Sequence, residues 1–69
     1  MSLATETREL TSYKLDIIHK LFLIGLLESK GLELATRHRT ESDIKYLNEI
    51  MGTDLGAERR KWEAELFQF

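Results

Sequence analysis

Sixty-nine residues, a net charge of −2 and no cysteine confine the chain to one small domain without disulfides or thiolate metal sites. Charged residues make up 32% with both signs interspersed, so the composition gives no general attraction to nucleic acid or to an anionic membrane surface. A chain this short buries only about 60% of the surface its unfolded form exposes. A partner subunit, or the rest of a larger domain, is the expected stabiliser.

The chain starts with "MSLATETREL", which is polar and lacks the apolar core of a signal peptide. Residues 1–5 read as a disordered or vector-derived lead-in to one all-helical domain over 6–69, with a cytoplasmic location expected. Thr5 or Thr7 can cap a first helix, with Glu6 and Glu9 at its positive end. Apolar residues then recur at Leu10, Tyr13, Ile17, Leu21 and Ile24 in steps of three and four. The most apolar run, "LFLIGLL", is short of the roughly twenty residues a membrane span requires, and Asp16, His19 and Lys20 lie close before it.

Gly31 offers two readings. It can end the first helix in a left-handed conformation with Leu32 folding back, or the helix can run on through "LELATR", since a helical Gly costs only about 1 kcal/mol relative to Ala. The second is adopted, giving a long helix over 6–37. In its first half Ser12, Asp16, His19 and Lys20 gather on one side, with Leu10, Ile17, Ile18 and Leu21 opposite. From Leu21 the helix is apolar all round, which demands burial on every side. Two short companions are too few for that, so Leu23, Leu26 and Leu27 are assigned to an oligomer interface.

"RHRT" reads as a short connection. "TESD" has the pattern of a capping box, Thr40 capping and Asp43 standing in for the usual Glu. A second helix over 41–51 follows, with Ile44, Leu47, Ile50 and Met51 on one stripe, a Glu41–Lys45 pair on its surface and Gly52 at its end. Thr53 or Asp54 then caps a third helix over 54–68. Leu55, Trp62, Leu66 and Phe69 form its apolar seam, and Arg59–Glu63 and Lys61–Glu65 pairs its solvated face.

"LLESKGLELATRHRTESDIKYLNEIM" resembles the opening of the all-helical FCD-type effector-binding domain of GntR-family transcription regulators, over about half the chain. Leu27, Glu28, Leu34, Ala35, Arg39, Thr40, Glu41, Asp43, Ile44 and Leu47 carry the likeness. The resemblance implies a regulatory, non-enzymatic helical domain that associates with another copy or a protein partner. Members usually carry an effector-binding Arg one turn before the Glu; here that position is Ile24. Their metal-ligating Asp and His residues lie beyond the third helix, and a winged helix precedes the domain. The reading implied is a fragment or remnant to which no functional residue transfers.

Other candidates have simpler readings. Asp16 and His19, one turn apart, have the chemistry of an acid–base pair but no nucleophile or oxyanion site beside them. His38 between Arg37 and Arg39 reads as a solvated connection tip. "RRKW" at Arg59–Trp62 mixes phosphate-binding and stacking types, but Glu58, Glu63 and Glu65 flank it and Trp62 belongs to the apolar seam. Tyr13 and Tyr46 read as half-buried packing residues. The expectation is therefore an all-α, three-helix chain completed by oligomerisation: no enzyme, no cofactor or metal site, no nucleic acid bound by this chain alone, and no membrane. The alternative is a free-standing helical interaction module of adaptor, antitoxin or inhibitor type.

Overall fold

The computed structural model describes the backbone of residues 3–68 and the side chains of residues 11–68. Three helices form, α1 (Leu3–Thr36), α2 (Glu41–Ile50) and α3 (Leu55–Leu66), with α2 and α3 both lying against α1. The expected capping by Thr5 or Thr7, the packing of Leu10 and the end of the seam at Phe69 lie outside the described side chains.

Continuation through Gly31 is corrected. Gly31 has φ 85° and ψ 167°, a conformation that breaks α1. From Leu3 to Lys30 a helix rising about 1.5 Å per residue spans about 42 Å, matching the molecule's long dimension of 43 Å. A straight helix to Thr36 would measure about 51 Å and place that residue about 21 Å beyond Phe22. Instead the Arg39 guanidinium lies over the Phe22 ring, 5.4 Å from its centroid. The chain thus reverses at Gly31. A short helical turn, Leu32 to Thr36, folds back and brings Leu32 and Ala35 onto the core. The burial of these two residues favours the reversal over the helix that local propensity would extend.

The backbone at Gly31 is open only to glycine. Although a Cβ there would meet no atom within 4 Å, Gly31→Ala is expected to lower the unfolding free energy by about 1–3 kcal/mol through backbone strain alone. Urea denaturation measures it; an unchanged midpoint would show that the turn relaxes freely.

Local chemistry sets the other boundaries. Thr40 is extended at the N-cap of α2, and its Oγ1 accepts from the Asp43 backbone N–H at 3.2 Å. Asp54 does the same for α3, its Oδ1 accepting from the Ala57 N–H at 3.1 Å. Each cap satisfies a donor that the first helical turn leaves unpaired. His38 takes the left-handed conformation in the connection, φ 58°, where Arg39 Nε donates back to the Ala35 carbonyl at 3.2 Å. Gly52, φ 83°, turns the chain after α2. Met51 caps α2 from outside the helix and is 56% exposed, so it does not join the stripe of Ile44, Leu47 and Ile50.

The core consists of Ile17, Leu23, Ile24, Leu27, Ala35, Leu47 and Ile50, with Leu26, Leu32, Tyr46, Leu55 and Trp62 packed partly against it. Leu23 and Leu27, expected at an oligomer interface together with Leu26, belong to this core. They are buried within the chain itself, against α2 and the reversed turn, and Leu26 is half-covered by the same core. The fold-back at Gly31 supplies the extra cover that two short helices alone would not give.

Candidate functional site

Two features on α1 are candidates for function, one polar and one apolar. The polar one is a cleft of about 190 Å³ between α1 and α2, lined by Asp16, His19, Lys20, Leu23, Ser42, Asp43 and Tyr46. The side of α1 that looks solvent-facing in sequence is the side on which the start of α2 sits. His19 does not pair with Asp16: its Nε2 meets Asp43 Oδ1 at 3.0 Å, across 24 residues of sequence. Asp16 instead holds Lys20 at 3.7 Å. Only half of the expected capping box forms, because the Asp43 carboxylate is turned toward His19 while its backbone N–H meets Thr40.

Below the cleft the three helices meet in a polar and aromatic knot. The Tyr46 hydroxyl donates to Glu58 Oε2 at 2.8 Å. Trp62 Nε1–H is shared between that carboxylate at 3.0 Å and the Tyr46 oxygen at 2.9 Å. Lys20 from α1 and Lys61 from α3 lie over the Trp62 ring, at 4.2 and 4.5 Å. Burial pushes the Tyr46 hydroxyl up, and its hydrogen bond to Glu58 pushes it further. Burial alone would raise the Glu58 carboxyl, but the bonds from Tyr46 and Trp62 and the nearby Lys61 and Lys20 hold it below its ordinary value.

These groups all satisfy one another, which is the behaviour of a fastening between helices. Ligand pockets usually enclose about 300–1,000 Å³, more than this cleft offers. A wider depression of about 570 Å³ has only the first turns of α2 for a wall, Glu41, Ser42, Ile44 and Lys45, and encloses nothing. Among the described residues no polar side chain is buried, and no three or more His, Cys, Asp or Glu lie together as metal ligands. Nor is any described helix long and apolar enough to cross a membrane.

Three of the four residues of the "RRKW" segment are also absorbed by the fold, with Arg60 exposed. Arg59 pairs with Glu28 of α1 rather than with Glu63, Lys61 covers Trp62 rather than reaching Glu65, and Trp62 packs against the core. His38 is exposed in the connection, as expected of a tip.

The apolar feature lies on the opposite side of α1. Leu15, Ile18 and Phe22 are 60%, 44% and 52% exposed, on the face turned away from α2 and α3. Thr11, Leu15, Ile18, Phe22, Gly25 and Ser29 follow one another in steps of four, three, four, three and four. Such alternation is the seam spacing of a helix that pairs with another helix. Arg39 and His19 border Phe22 on one flank, with the His19 ring stacked 6.4 Å from it. Sequence reading missed this face because α1 carries several apolar stripes, and which of them stays outside is decided by where α2 and α3 dock. The four–three alternation through Leu15, Ile18 and Phe22 is the signal that marks it.

No protein-family model, no curated protein and no solved structure matches the chain.

Proposed function

We propose that the chain is a non-enzymatic regulatory helical module that acts by helix–helix association through the exposed face of α1. The observation that carries this reading is the row of Leu15, Ile18 and Phe22, left in water by a chain that buries comparable residues elsewhere. Covering one such side chain stabilises by about 1.5–3 kcal/mol, so a partner helix laid along the row gains from several at once. The polar cleft supports the same reading from the other side, since His19, Asp43, Tyr46 and Glu58 are occupied in holding helices together.

A second reading, part of a regulator's effector-binding domain, is favoured by one observation. Residues of the FCD resemblance hold the α1–α2 unit together: Leu27, Ala35 and Leu47 in the core, Thr40 as the cap. On that reading further helices of the same domain would cover Leu15, Ile18 and Phe22.

A photo-crosslinking amino acid placed at Ile18 in living cells tests both. A protein adduct at Ile18, with none at the exposed Ala57 of α3, is the expected result, and the adduct's mass identifies the partner. Absence of any protein adduct at Ile18 would overturn the association reading.

A further inference from the structure

We infer that the occupant of the α1 face is a second copy of this chain, with the two α1 helices antiparallel and Ile18 of each opposite Phe22 of the other. The inference rests on the reading of that face as an association surface and names its partner.

The first support is self-complementarity. An isologous pair must match a surface to itself. About an axis at the level of Lys20, Thr11 comes opposite the partner's Ser29, Leu15 opposite the partner's Gly25, and Ile18 opposite the partner's Phe22. The bulky Leu15 thus meets the one position on the face that has no side chain. A Cβ at Gly25 would touch nothing within 4 Å in its own chain, so the space there is open. Thr11 and Ser29 close the two ends of the seam with small polar groups. A parallel pair would instead set Phe22 against Phe22 and Gly25 against Gly25, leaving one layer crowded and the next empty.

The second support is charge. In an antiparallel pair the same flank of each helix faces its counterpart. On the flank nearer α3 this brings Lys14 of one chain to within about 3 Å, along the axis, of the level of the partner's Glu28, and the partner's Lys14 likewise to Glu28. Lys14 is exposed, and Glu28 already lies at the surface beside Arg59.

The third is area. The chain exposes 5143 Å², where a compact monomer of 8.1 kDa exposes about 4500 Å². A dimer that covers about 650 Å² on each of two chains buries about 1300 Å² in all, at the lower end of what specific dimers bury. A dissociation constant in the micromolar range is expected for so small an interface.

The test uses the purified full chain. It has no cysteine, so a spin label at Lys30→Cys is unique. An antiparallel pair sets the two labels about 30 Å or more apart along the axis, and a parallel pair brings them within about 20 Å. Gly25→Lys should abolish association while the monomer keeps its helix content and melts no lower than wild type, because the substituted side chain meets nothing in its own chain and replaces a helical Gly. A dimer with the long distance, lost in Gly25→Lys, is the result expected. Three results would overturn the inference: a monomer at about 100 µM, a dimer with the short distance, or a monomer that binds phosphatidylglycerol vesicles through Phe22. If a monomer in solution still crosslinks to a different protein at Ile18 in cells, the association reading stands and the self-pairing falls.

Discussion

Leu47→Ala is expected to remove a large share of the stability of the fold. Leu47 is fully buried where α2 meets α1, and truncating such a residue costs about 2–5 kcal/mol in lost burial and cavity formation. A domain of this size has roughly 3–10 kcal/mol in total, at 0.05–0.15 kcal/mol per residue. The substitution therefore removes a large share of the stability, and the melting temperature should fall by about 10 °C or more. Leu15→Ala is the contrast. Within one chain its side chain has little cover, so the change should stay within about 0.5 kcal/mol when measured on the monomer at high dilution. Equal losses from the two substitutions would mean that the core has been misplaced.

Disrupting the knot at Glu58 should also cost stability, and its signature is a pH dependence. In Glu58→Ala the Tyr46 hydroxyl loses its acceptor while Trp62 Nε1–H keeps the Tyr46 oxygen, so a loss of about 1–3 kcal/mol is expected. The Glu58 carboxyl is held below its ordinary value in the fold. Its contribution is therefore complete above the ordinary carboxyl range near pH 4–5, and is lost as the pH falls through the lower folded value. Tyr46 is the reverse case, being raised in the fold. Its contribution is complete below about pH 10, the ordinary value for tyrosine, and is lost as the pH rises toward the folded value. Urea denaturation across pH should show Glu58→Gln flattening the acid limb and Tyr46→Phe flattening the alkaline limb. Variants whose profiles run parallel to wild type on both limbs would contradict the assignment.

Local chemistry made much of the fold legible in the sequence. Thr40 and Asp54 each act on a backbone N–H three residues ahead, Gly52 turns the chain at its own position, and the steps of three and four between apolar residues are visible without a partner. Gly31 is misread as helical, because "ESK" and "LELAT" both favour helix. The deciding contacts, Leu32 and Ala35 on the core, exist only after the chain has reversed. The same holds for side-chain pairing. Arg59 prefers Glu28 to its helical neighbour Glu63, and His19 prefers Asp43 to Asp16, because packing brings together groups far apart in sequence. The candidate surface was the least legible. The run from Leu21 to Leu27 announced that α1 needs cover on several sides, but Leu23 and Leu27 turned inward and Leu15, Ile18 and Phe22 were left outside. Only the docking of α2 and α3 separates those sets.

Sedimentation velocity of the wild-type chain beside Phe22→Glu tests most directly whether the outer face of α1 is the working surface. The wild-type protein should show a sedimentation coefficient that rises with concentration through the micromolar range. Phe22→Glu should sediment as a single monomer at every concentration, with its circular dichroism unchanged, since it removes the apolar ring from the seam and association would strip water from the carboxylate. A wild-type coefficient independent of concentration, or a Phe22→Glu protein that associates as the wild type does, would contradict it.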